Sequence, residues 1–213
     1  VSHPQPTRGV RRLELTTPDP EPVADFYATL LGWTVLAEPD GSFTGWVGDR
    51  LATHVRPHSE TAWRIVFAAG RPRELRGGAA TDTGRALHGP WAPTPRPGEP
   101  AWLELHGVPA ADDPYWTDEL GCRPRTPDAD YTVYETGADQ RPLAARHTSA
   151  EGGWLAYFAV TDATAVLDTA RGLDATILVD PRPTPSGTAA ALSDPAGAVF
   201  AVLEKPAVWG GTS

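Results

Sequence analysis

The amino-acid sequence predicts an α+β protein built from two tandem copies of one unit, each in the order strand, helix, strand, strand, strand, with the first copy shortened. Three observations carry that expectation. The helical stretch EPVADFYATLLGW, from Glu21 to Trp33, has a degraded copy, ADDPYWTDELGC, from Ala111 to Cys122, offset by 89 residues. The strand core Leu13-Glu14-Leu15 returns 90 residues later as Leu103-Glu104-Leu105, and WRIVFAA from Trp63 returns 91 residues later as WLAYFAV from Trp154. One such match is weak. Three in the same order at nearly constant offset mark an internal duplication.

Each element follows from local pattern. Val10 to Thr16 alternates as a strand, with Leu13 and Leu15 on an apolar face and Arg12, Glu14 and Thr16 on the other. Asp19 is placed to cap the next helix and Pro20 to open it. Val23, Phe26, Tyr27, Leu30 and Leu31 then form one apolar stripe, and Gly32 ends the helix. Strands follow at Trp33 to Leu36, Phe43 to Val47, Leu51 to Val55 and Trp63 to Ala69. Arg73 to Ala80 reads as a single helical turn and Arg85 to His88 as a short strand.

PWAPTPRPGEP reads as a linker, dividing the chain into a first unit over 1–89, a linker over 90–100 and a second unit over 101–213. The second unit runs through Ala101 to His106, the helix copy, a hairpin of Tyr131 to Glu135 with Leu143 to His147, and Trp154 to Val160. It continues through a helix from Asp162 to Gly172 and strands at Ala175 to Val179, Ala189 to Leu192 and Val199 to Leu203. The first nine residues read as a loose leader and the end beyond Trp209 as a frayed tail.

Bulk properties narrow the function. A net charge of -9 disfavours nucleic acid, and the single cysteine builds neither a disulfide framework nor a thiolate metal cluster. No stretch approaches a membrane span or a signal sequence, so a cytoplasmic protein, monomer or homodimer, with a small-molecule partner and no membrane partner is expected.

Phe26-Tyr27 four residues before Leu31-Gly32-Trp33, together with Asp194-Pro195-Ala196-Gly197-Ala198-Val199-Phe200, resembles the vicinal oxygen chelate superfamily. That group holds glyoxalases, extradiol dioxygenases and bleomycin-binding resistance proteins. Within that group the chain looks like the two-module actinobacterial glyoxalase-like proteins. The resemblance implies βαβββ modules whose paired sheets curl into an open barrel-like cup around a ligand. It also implies metal ligands at places that hold Arg12, Arg64, Trp102, Leu155 and Ala201 here, none of which binds a divalent metal. Neither a metal nor another cofactor is therefore expected. If Asp82-Thr83-Gly84 is a shortened closing turn, His88 takes the closing-strand metal position of the first unit, one imidazole where a site needs three or four ligands.

Strand alternation then selects the cup residues. Glu104 and Glu14, at matching positions, are candidate acid and base, and His106 on the face of Glu104 is a candidate proton shuttle. The alternative is that the glutamates pair with Arg12, Arg64 or a backbone amide and settle the cup floor. Trp102 and Tyr157 supply an aromatic wall, Leu155 and Ala201 share it, and Trp46, His54 and Trp63 line the other half. Phe26, Tyr27, Tyr115 and Trp116 belong to the helix-to-sheet core, and Cys122 packs. Three functions remain open. They are a metal-free binding or self-resistance protein holding a small aromatic or hydrophobic natural product, a metal-independent lyase, isomerase or cyclase of secondary metabolism, and a metal-dependent dioxygenase or glyoxalase.

Overall fold

The computed structural model describes residues 7–149 and 151–211. Most of the proposed leader, residues 1–6, lies outside them. Thr7 is not loose: it is buried, and its hydroxyl donates to the Ala68 carbonyl at 2.7 Å.

The first unit opens with β1 (Val10–Thr17) and α1 (Pro20–Leu31), then β2 (Thr34–Ala37), β3 (Phe43–Val47), β4 (Arg50–Pro57) and β5 (Ala62–Ala68). Asp19 sits at the start of α1, but its carboxylate makes no capping bond there, so proline supplies the helix start. Gly32 ends α1 in the left-handed conformation at φ 74°, as the sequence requires. The helical turn expected over 73–80 does not form. Two short strands, β6 (Arg73–Glu74) and β7 (Ala79–Asp82), take its place, and Gly77 and Gly78 turn between them at positive φ. The strand expected at Arg85 to His88 shrinks to a single bridge between Val10 and His88.

The second unit holds β8 (Pro100–His106), α2 (Asp113–Leu120), β9 (Arg123–Arg125), β10 (Tyr131–Thr136), β11 (Arg141–His147) and β12 (Gly153–Val160). It closes with α3 (Ala163–Arg171), β13 (Thr176–Thr184), β14 (Gly187–Ser193) and β15 (Val199–Glu204).

Two open sheets result, ordered β2-β3-β4-β1-β5-β7-β6 and β13-β14-β15-β12-β8-β11-β10-β9. Each joins two copies of the repeat through their first strands, antiparallel β1 with β5 and β8 with β12. Three copies are complete, whereas the copy begun by β5 has no helix and one strand fewer. The α+β class and the shortened first unit thus stand, and the two sheets are open cups rather than a closed barrel.

The helix-packed faces of the two sheets turn toward each other. Tyr27 of α1 stacks on Trp33 at 5.1 Å and meets Trp63, Phe158 and Phe200 edge-on or tilted. Its hydroxyl donates to Asp194 in the Asp-Pro-Ala-Gly turn at 3.0 Å. Gly45 is needed for this packing, because a Cβ there would stand 2.3 Å from the Trp33 ring. Across the seam the Trp63 indole N–H donates to the Val199 carbonyl at 2.9 Å.

The proline-rich stretch is a packed strap between the sheets. Glu99 is fully buried, held by Arg50 at 2.7 Å and Arg96 at 2.8 Å, and the Gly98 carbonyl accepts from the Trp33 indole. The tail also packs: Trp209 is buried, donates to the Leu143 carbonyl at 2.8 Å and lies against Trp102. Among the described residues no helix is long and apolar enough to cross a membrane.

Candidate functional site

Because each sheet pairs copies from within its own unit, each cup is built within one unit and faces away from the other. Glu14 and Glu104 therefore stand in separate cups. The expected acid and base pair of glutamates does not exist.

In the first cup, β1 alternation aims Arg12 and Glu14 away from the core, and β4 and β5 place His54 and Arg64 beside Glu14. Arg12 and Arg64 each reach Glu14 at 2.7 Å, with Arg56 at 3.7 Å. Arg12 continues to Asp82 at 2.7 Å and Arg64 to Glu74 at 2.5 Å. Burial would raise the Glu14 pKa, but hydrogen bonds and charge from Arg12 and Arg64 win and hold it below its ordinary value. The His54 ring meets the Ser42 hydroxyl at 2.8 Å, and burial and Arg56 lower its pKa. Trp46 donates to Thr44 on the same face. This floor is an ion-pair lattice, the settling role held open from the sequence.

Two first-unit candidates leave the cup. Trp63 shares the Leu13 and Leu15 face and is packed in the seam between the sheets. His88 is buried beneath the strap with its Nε2 2.8 Å from the Leu51 carbonyl, and burial lowers its pKa to about 4. Among the described residues it joins no group of metal ligands.

The second cup keeps the glutamate and differs at the places around it. On β8, Leu103 and Leu105 enter the core while Glu104 and His106 face the cup. Register sets Leu155 of β12 and Ala145 of β11 beside Glu104, His147 beside His106, and Ala201 of β15 beside Tyr157. Where the first cup has Arg64 and Arg56, this one has Leu155 and His147. A cavity of about 510 Å³ opens here, lined by Glu104, His106, Tyr131, His147, Leu155 and Tyr157 at its base and by Leu178, Arg182, Val199 and Ala201 on one side.

Glu104 accepts three hydrogen bonds: from the Tyr131 hydroxyl at 3.1 Å, the Tyr157 hydroxyl at 2.9 Å and His106 Nε2 at 3.0 Å. Burial pushes its pKa upward, but His106 and the two tyrosines outweigh burial, and the net displacement is downward. Burial and the Glu104 charge push both phenols well above their usual range. An ionised Glu104 requires His106 Nε2 to carry a proton, so a neutral His106 presents Nδ1 as an acceptor. His147 lies 5.5 Å away ring to ring, and its Nδ1 is buried without a partner among the described residues.

Trp102 also leaves the cavity wall. It is 2 % exposed and does not line the cavity, because Trp209 and Gly210 of the tail cover it and close that end of the cup. Tyr131, His147 and Arg182 were missed in the sequence. The sequence finds the hairpin of Tyr131 and His147 without orienting it, and Arg182 falls in the Pro/Gly-rich crossing after Val179, which alternation does not orient. A larger groove of about 750 Å³ runs along the strap beside Arg50, Arg85 and Trp91, but it is an open seam, and Arg50 and Arg96 in its wall are spent on Glu99.

The sequence model of the Glyoxalase/Bleomycin resistance protein/Dioxygenase superfamily matches residues 9–202. No curated protein sequence matches the chain. Solved structures share its fold. The 2,3-dioxygenase LapB from Pseudomonas sp. KL28 is 13% identical with a TM-score of 0.67, over 94% of this chain and 93% of that one. The Mn(II)-bound glyoxalase from Novosphingobium aromaticivorans is 14% identical with a TM-score of 0.67, over 92% and 82%. The 2,2',3-trihydroxybiphenyl 1,2-dioxygenase from Sphingomonas wittichii strain RW1 is 11% identical with a TM-score of 0.67, over 97% and 99%. At these identities the likeness is one of fold.

A metal ion of the kind named for the glyoxalase does not suit the residues present. Trp102, Leu155 and Ala201 offer no metal-binding atom, and Glu104 already accepts from both tyrosines and His106. Among the described residues no three His, Cys, Asp or Glu side chains converge on one point.

Proposed function

Given that the chain belongs to the Glyoxalase/Bleomycin resistance protein/Dioxygenase superfamily, we propose that its second cup binds and sequesters a small, largely apolar natural product without a metal. The observation that carries this reading is the cavity of about 510 Å³, whose mouth shows water two large apolar side chains, Leu178 at 48% and Val199 at 38% exposure. A concave, mostly apolar pocket with a few converging polar groups is the usual form of a small-molecule site. Glu104 supports binding over acid and base chemistry, since its bonds favour the ionised form and take its pKa away from neutrality.

The test is equilibrium binding of an aromatic compound panel, followed by tryptophan fluorescence with and without chelator and by mass spectrometry of the recovered ligand. Binding that survives chelator, is lost in Ala201→Phe and returns the ligand unaltered is the expected result. Chemical conversion of the bound compound would refute sequestration.

One observation favours a second reading, a metal-independent acid–base enzyme. The contact of Glu104 with His106 Nε2 orients the ring and leaves Nδ1 free to take a proton. Under that reading Glu104→Gln lowers kcat by roughly 100-fold with little change in KM, the usual scale of general-base catalysis.

A further inference from the structure

Resting on the reading of the second cup as a small-molecule site, we infer that its ligand is an organic anion: an apolar ring system carrying one acidic group, received by Arg182.

Arg182 lies on β13, the edge strand that closes one side of the cup, and it lines the cavity. Most other arginines near the two cups are spent. Arg12, Arg56 and Arg64 face Glu14, Arg146 is bound to Asp113 and Arg125 to Glu135. Arg182 has no hydrogen-bond or ion-pair partner among the described residues, yet it stands close enough to Tyr157 for its charge to act on the phenol. An unpaired guanidinium beside an apolar wall is a ready receptor for a carboxylate, sulfonate or phenolate, because it offers a planar fork of donors.

The rest of the cavity agrees. Among the described residues Glu104 holds the only buried negative charge of the base, and the two tyrosines and His106 already satisfy it, so it does not compete for the guanidinium. Leu178, four residues before Arg182 on the same strand, gives the ring an apolar bed next to the cation. Asp128 belongs to the loop between β9 and β10, at the far edge of the sheet, and Glu151 to the loop before β12. Their charges disfavour the reverse orientation, with the anion away from Arg182.

The experiment compares two fluorescent probes with one ring system, 1-anilinonaphthalene-8-sulfonate and uncharged N-phenyl-1-naphthylamine, titrated into the full chain and into Arg182→Gln. The variant changes an exposed side chain on an edge strand, and its thermal melt should overlay the parent's. The expected result is that Arg182→Gln weakens sulfonate binding by about tenfold, the scale of one charge-assisted hydrogen bond, and leaves the neutral probe within about twofold. The Ala201→Phe variant should lose both probes, which places them in the cup. Equal loss of both probes in Arg182→Gln, or no loss of either, overturns the anion inference while the binding site stands. Failure of both probes to bind the parent chain overturns the binding reading itself.

Discussion

Asp113→Ala is expected to destabilise the protein by about 3–5 kcal/mol, the cost of stranding a buried charge. Arg146 is 1% exposed, and Asp113, the first residue of α2, holds it at 2.7 Å from Nε and 3.2 Å from Nη2. Thr132 and the Val108 carbonyl take other guanidinium protons, and the Tyr134 hydroxyl also donates to Asp113. Removing the carboxylate leaves a cation that cannot lose its proton in a place water does not reach. Urea denaturation of both proteins measures the difference. Asp113→Asn, which keeps an acceptor, should fall between them, and Asp113→Leu combined with Arg146→Met should recover much of the loss because the charge is gone. The pair also pins α2 to β11 one residue before His147, so Asp113→Ala should loosen the cup as well as the fold.

The second large effect is acid sensitivity from His88. Its pKa is near 4 in the folded chain against 6.5 for the free side chain, so the folded form holds it neutral where the unfolded form takes up a proton. The stability this contributes is complete above about pH 6.5 and is lost as pH falls toward 4, in total about 3 kcal/mol. His54 acts in the same direction, more weakly because it is less buried. Glu14 and Glu104, whose pKa values are lowered, give up their contributions only at still lower pH. His88→Gln keeps an N–H for the Leu51 carbonyl and should remove most of the slope between pH 6.5 and 4.5 in denaturation midpoints. An unchanged slope would show that His88 titrates normally.

Much of the architecture was legible because duplication leaves a signal that local propensity does not. The Leu-Glu-Leu strands and the α1 pattern sit in two contexts, and each copy supports the reading of the other. The parity of β1 and β8 likewise placed Glu14, Glu104 and His106 on cup faces. What stayed hidden depends on contacts far apart in the chain. Nothing local to Arg73–Ala80 says that its glycines turn two short strands rather than end a helix. Trp63 reads as a cup residue because the register after the Gly48 turn is not fixed by the sequence. Its place in the seam follows from pairing with Leu15 across β1. The hairpin holding Tyr131 and His147 could be found but not oriented, since its facing depends on the parallel pairing of β11 with β8. Trp102 looks like a wall of the site because alternation puts it on the face of Glu104, and nothing local says that Trp209 and Gly210 fold back over it.

Val199 links the two halves in a way that bears on how binding would be felt. Its side chain forms part of the cavity mouth, while its carbonyl receives the Trp63 indole N–H from the first sheet. The first unit, whose own cup is filled by arginine and carboxylate, thereby acts as a buttress for the rim of the second. A ligand seated against Val199 would raise the melting temperature of the whole chain as one cooperative block. Cutting the protein at the strap would free a second unit whose rim has lost its support.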